Sequence, residues 1–115
     1  MRVIARGTLN GFVSKRVVAK NKKAVQNRLD AWYAEVSKAQ WKSSADLKKQ
    51  FRSASIVSAE RVVFNIKGNE YRLITAINYH YQIIFIKWLG THEEYDKIQV
   101  KDVQFDENRY SDPAD

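Results

Sequence analysis

Apolar positions recur along this chain with two different periods, and the change between them falls near residue 60. In the first half, Leu9, Phe12, Val13 and Val17 follow one another at three- and four-residue steps. That spacing lines one face of a helix, with Thr8 or Asn10 available as its cap. The polar run Lys20-Asn21-Lys22-Lys23 predicts its end. Val25, Leu29, Trp32, Tyr33 and Val36 form a second, clearer stripe with charged residues on the opposite face, the pattern of a helix lying on a core. Ser43-Ser44-Ala45-Asp46 predicts a short third helix, with Ser43 as cap and the Asp46 side chain reaching back to the Ser43 N–H. Arg2–Ala5 alternates weakly and predicts a short strand, and Phe51–Ser58 reads as a loop or irregular crossing.

From Arg61 the helical period is lost. Arg61–Lys67, Tyr71–Asn78 and Ile83–Leu89 are runs rich in Val, Ile, Phe and Tyr, which predict three strands. Gly68-Asn69 offers the positive φ angles of a tight hairpin, and Asn78-Tyr79-His80-Tyr81 turns the second strand into the third. The runs are almost continuously apolar, so both faces of the sheet are expected to be covered. Helices followed by an antiparallel meander predict an α+β fold: a small, mainly antiparallel sheet of about four strands, with the first strand at an edge and two to three N-terminal helices packed on it. Alternation places Arg61, Asn65 and Lys67 on one side of their strand, and Arg72 on the side opposite Tyr71 in the next.

Composition narrows the functions that such a domain can have. The chain has 115 residues, 44% of them hydrophobic, enough for one modest core. We expect a single domain over residues 1–103 and a loosely ordered acidic tail over 104–115. Cysteine is absent, which excludes a disulfide framework, a Cys-ligated zinc and a Cys nucleophile. No apolar run approaches the roughly 20 residues of a membrane span, and the N-terminus turns basic too early for a signal peptide. A cytoplasmic protein with no membrane partner is expected.

Net charge is +7, and it is unevenly placed. Residues 1–92 carry 17 basic and five acidic groups, a balance of +12, whereas residues 93–115 carry three and eight, a balance of −5. A field of that kind attracts polyanions. The acidic tail either folds back over the basic surface or is simply solvated.

Two polar clusters stand at the ends of the predicted strands: Asn65-Ile66-Lys67-Gly68-Asn69-Glu70-Tyr71-Arg72 and Gly90-Thr91-His92-Glu93-Glu94-Tyr95-Asp96. RNA carries its own nucleophile in the 2′-hydroxyl, so cleavage without a metal needs only a base, an acid for the departing 5′-oxygen and cations for the charge on the phosphate. His92 is the first candidate for acid or base, because an imidazole can both take and give a proton. Arg72 is the best phosphate clamp, because its planar fork holds two oxygens. Lys67 adds a second charge, and Tyr95 can stack on a base or give a proton. Asn65, Asn69, Tyr71 and Arg61 are candidate RNA contacts. No metal-ligand set or nucleotide loop is visible, so no cofactor is expected. Each candidate also has a purely structural role open to it: a cap for His92, an ion pair with Glu70 for Arg72, turn geometry for Asn69, packing for Tyr95. A module that holds RNA or the ribosome without cutting it is the alternative reading, and a subunit that docks an acidic partner is a third.

The block Val62 to Leu73, with its Asn65-Ile66-Lys67-Gly68-Asn69-Glu70-Tyr71-Arg72 core, together with Gly90-Thr91-His92-Glu93-Glu94-Tyr95-Asp96, resembles the HigB toxins of type II toxin–antitoxin systems. Ala31-Trp32-Tyr33, Trp41-Lys42-Ser43, Ala45-Asp46-Leu47-Lys48 and Phe51 fit the same pattern in the same order, and the resemblance covers roughly residues 1–100. The chain departs from the pattern at Lys20-Asn21-Lys22-Lys23, where a His-Pro-like turn is usual, and at Ser44, where Pro is common. The acidic tail after Val103 looks like an addition. The resemblance implies a RelE-like fold and a ribosome-dependent mRNA endoribonuclease that inhibits translation. It also implies neutralisation by a helix-turn-helix antitoxin of the HigA type, with operator DNA bound only through the toxin–antitoxin complex.

Overall fold

A computed structural model describes residues 1–101, 103 and 104, so the expected tail lies outside the described residues apart from Gln104. Strand β1 (Arg2–Ile4) is followed by helix α1 (Gly7–Arg16), a single 3-10 turn at Ala19–Asn21, α2 (Lys22–Lys38) and α3 (Ser44–Gln50). Four strands and a last turn of helix complete the chain: β2 (Ser55–Ile56), β3 (Arg61–Ile66), β4 (Tyr71–Asn78), β5 (Ile83–Thr91) and α4 (His92–Tyr95). The fold is α+β, as expected. The sheet has five strands in the order β1-β5-β4-β3-β2, antiparallel except where β1 runs parallel to β5.

Several local details differ from the expectation. The segment expected as a loop contributes β2, because Ser55 and Ile56 pair with Val63 and Val62. Helix α1 starts one residue before Thr8, with Arg6 at its cap and no side-chain hydrogen bond there. Ser43 does cap α3 by position but makes no capping hydrogen bond. Asp46 reaches one residue further than predicted and accepts from the Lys42 N–H at 2.9 Å.

The helices cover one face of the sheet. Leu9, Phe12 and Val13 of α1, Val25, Leu29, Trp32 and Val36 of α2, and Leu47 of α3 meet Val62, Phe64, Leu73, Ile77, Ile84, Ile86 and Leu89 in one buried cluster. Trp32 and Phe51 each meet the Phe64 ring in an edge-to-face arrangement, with 5.4 and 5.1 Å between ring centres. Full burial of such a side chain stabilises the fold by roughly 1.5–3 kcal/mol relative to exposure, which explains why the 3.6 period dominates these segments.

The second face is covered too, by a smaller cluster. Val63, Ile74 and Trp88 pack beneath Val57, Tyr95, Ile98, Val100 and Val103. A bulge makes this possible. Register steps from Ile74↔Trp88 to Thr75↔Ile86, leaving Lys87 as the extra residue. Ile84, Ile86 and Trp88 have the same parity in sequence, yet Ile84 and Ile86 join the helical face and Trp88 the other. The extra residue reverses the alternation. Trp88 thereby becomes the floor on which α4 rests.

Candidate functional site at the hairpin and the last helical turn

The β3–β4 hairpin and the end of β5 lie side by side, since Arg72 is opposite Asn65 on one flank and Gly90 on the other. This register brings the two polar clusters of the sequence together. In the hairpin connection the left-handed residues are Lys67 (φ 53°) and Gly68 (φ 64°), one step earlier than the predicted Gly68-Asn69. Lys67 therefore holds a conformation that costs a side-chain-bearing residue something. Its Nζ donates to the Glu70 carboxylate at 3.0 Å. Asn69 acts through its backbone, its carbonyl accepting from Arg72 Nη1 at 2.7 Å.

Arg72 is thus oriented by its own hairpin and makes no ion pair with Glu70. Its guanidinium lies 5.8 Å from the centre of the Tyr95 ring, within the range of a cation–π contact. Tyr95 in turn meets Trp88 with 6.5 Å between ring centres. Arg72, Tyr95 and Trp88 form a continuous set on the second face of the sheet.

α4 is one turn long and is held by its ends. The Thr91 hydroxyl accepts from the Glu94 N–H at 3.2 Å, and the Glu94 carboxylate accepts from the Thr91 N–H at 3.1 Å. This is a complete capping box, and it satisfies two donors that a helix start leaves orphaned. The His92 N–H donates to the Glu70 carbonyl at 3.1 Å, tying α4 to the hairpin. The His92 side chain is half exposed, with Nε2 3.0 Å from a Glu93 carboxylate oxygen. His92 shares a shallow groove of about 190 Å³ with Glu70, Tyr71, Thr91 and Glu93.

Packing buries two of the candidate RNA contacts. Tyr71 is only 7% exposed, and its ring meets Phe12 edge-on with 5.7 Å between ring centres, so most of its surface is spent on the core. Burial, with the Glu70 charge second, raises its phenol above the ordinary 10.0. Arg61 is 5% exposed, and its Nη1 donates to the Val103 carbonyl at 2.7 Å. The stretch after α4 crosses that face of the sheet and covers it. Asn65 donates to the Ser53 carbonyl at 3.3 Å and fastens β3 to the chain leaving α3.

Sequence reading missed the residues that hold the site in shape. Thr91 and Glu94 have the spacing of a capping box and were legible as one. Arg16 had no local signal: its Nη2 lies 3.0 Å from Glu94 Oε2, across 78 positions of sequence. Among the described residues no three His, Asp or Glu side chains gather as a metal site, and no helix is long and apolar enough to cross a membrane.

The α+β fold, a mostly antiparallel sheet with helices packed on it, is consistent with a RelE-like toxin. A family model described as HigB_toxin, the RelE-like toxic component of a toxin–antitoxin system, matches residues 25–98, well over half of the chain. The chain belongs to the HigB toxin family. The matched segment contains both polar clusters, so the site lies within the part that defines the family. No curated protein matches closely enough to add to this assignment. The protein is the toxin of a toxin–antitoxin system, and an antitoxin is its partner.

Proposed function

We propose that this toxin is a ribosome-dependent mRNA endoribonuclease, cutting through the 2′-hydroxyl of its RNA substrate and thereby inhibiting translation. The observation that carries the proposal is the Arg72–Tyr95 pair, set beside a capped turn whose first residue is His92. Attack by the 2′-oxygen forms a new bond to the adjacent phosphorus while the bond to the 5′-oxygen breaks, giving a cyclic phosphate and a free 5′-hydroxyl. One proton leaves the 2′-hydroxyl and one arrives at the 5′-oxygen. His92, open to solvent in its groove, serves one of these transfers. Arg72 meets the charge that grows on the phosphate, and the Tyr95 ring offers a face to a base. Lys67 supplies further charge when RNA displaces Glu70 from it.

So few titratable groups demand positioning from elsewhere. The ribosome holds the mRNA bent into the site, and free RNA is cut poorly. The antitoxin is of the helix-turn-helix HigA type, and operator DNA is met only through the complex of the two.

The test is mRNA cleavage in a purified translation reaction, wild type beside an Arg72→Ala/His92→Ala double variant. Cuts within translated codons that need ribosomes and vanish in the double variant are expected. A folded wild type that binds ribosomes and cuts nothing would make the protein a binding module instead, and rapid cutting of naked RNA would overturn the ribosome dependence.

A further inference from the structure

α4 has four residues, too few for a helix to stand by its own hydrogen bonds. It is held by the capping box, by the His92 N–H on the Glu70 carbonyl and by Tyr95 on Trp88. These all come from the sheet or from α4 itself. A further tie comes from the helical layer of the molecule. Arg16, the last residue of α1, reaches Glu94 at 3.0 Å. The two carboxylate oxygens of Glu94 divide the work: Oε1 accepts from Thr91 and Oε2 from Arg16.

We infer that Arg16 is a positioning residue for the site: by holding Glu94 from the helical layer, it fixes the turn that presents His92 and Tyr95 to the RNA. Arg16 does this without touching the reacting atoms, and its effect on cleavage rests on the reading of the site as an RNA-cutting one. Because the charge is shared between α1 and α4, whatever binds the basic end of α1 and competes for the Arg16 guanidinium loosens the site from a distance. An exposed pair of this kind is screened by salt.

Glu94→Gln makes a clean test, because glutamine keeps the oxygen that a capping box needs while losing the charge that Arg16 needs. Amide hydrogen exchange at His92 and Asp96, whose N–H groups are bonded to Glu70 and His92, reads the holding of α4 whether or not the protein cuts RNA. Arg16→Gln and Glu94→Gln are each expected to speed this exchange by about two- to five-fold, the range of an exposed ion pair. The double variant is expected to go no further than either single, since the pair is one interaction. Arg16→Lys restores most of the protection. In ribosome-dependent cleavage Arg16→Gln lowers kcat on the order of ten-fold with KM unchanged, as misplacement does. Unaltered exchange in both single variants would overturn the inference even if cleavage proves real. A higher KM for Arg16→Gln with a lower one for Glu94→Gln would instead make Arg16 an RNA contact. Altered exchange in a protein that cuts nothing would uphold the brace and sink the nuclease reading alone.

Discussion

The Arg72 guanidinium lies 5.8 Å from the centre of the Tyr95 ring, although 23 positions separate the two residues. The contact exists because β4 and β5 pair in a register that sets Arg72 against Gly90, two residues before α4 begins. Cation and aromatic face are presented together, which suits a phosphate and the base next to it. Arg72→Lys keeps the charge and loses the fork, so its cleavage rate is expected to fall on the order of 100-fold. Tyr95→Phe keeps the ring face and is expected to retain most activity, whereas Tyr95→Ala loses it. Primer extension on translated mRNA reads all three. A dead Tyr95→Phe would make the phenol a proton donor rather than a stacking platform.

The cap of α4 predicts a stability effect with a matched control. Thr91→Ala removes the hydroxyl that accepts from the Glu94 N–H and is expected to cost about 1 kcal/mol in urea unfolding. Thr91→Ser keeps the oxygen and is expected to cost a few tenths. Equal losses in the two variants would show that the methyl group, not the cap, matters.

Ile74 is fully buried beneath the segment that follows α4. Ile74→Ala is expected to destabilise the protein by about 2–5 kcal/mol through lost contacts and the cavity left behind. Its ribosome-dependent cleavage is expected to fall as well at temperatures where the protein stays folded, because Ile74 belongs to the floor under Tyr95. Measuring both on one preparation separates this from an effect of unfolding.

Lys67 combines a positive φ with a pairing to Glu70, so alanine would confuse turn strain with charge. Asparagine tolerates the left-handed region. Lys67→Asn is expected to keep the unfolding midpoint and to weaken cleavage several-fold. An unchanged rate would reduce Lys67 to a turn residue.

Alkaline pH tests the buried phenols. Burial raises both Tyr71 and Tyr79 above 10.0, so the folded protein holds these protons more tightly than the unfolded chain does. Their contribution to stability is complete below about pH 10 and is lost as pH rises from there through the folded-state values. The Tyr79 hydroxyl is buried with no partner among the described residues. Tyr79→Phe is therefore expected to flatten the loss above pH 10 and to leave stability at pH 7 equal or higher by up to about 1 kcal/mol. A destabilised Tyr79→Phe would reveal a partner for that hydroxyl.

Periodicity made the architecture legible. The stripe from Val25 to Val36 and the runs from Arg61, Tyr71 and Ile83 became α2, β3, β4 and β5, because burying one face against water dominates their energetics. The paired clusters were legible for the same reason, since polar residues at the ends of apolar strands must lie at the sheet's rim. Short elements were less legible. β2, two residues long, exists because Ser55 and Ile56 find an unpaired edge of β3, and nothing in those two residues announces a strand.

The chain by itself determined an α+β domain with a basic field and two motif clusters, since composition and period are properties of residues near one another in sequence. Only the tertiary structure decided which candidates lie side by side. Tyr71 was drawn into the core against Phe12, and Arg61 was covered by the stretch ending at Val103. A one-residue bulge at Lys87 turned Trp88 to the other face and set the platform for Tyr95. Arg16 met Glu94 across 78 positions. Each of these depends on which surfaces come together when the sheet closes under its helices, and a contact between distant residues leaves no mark on the local pattern of either one.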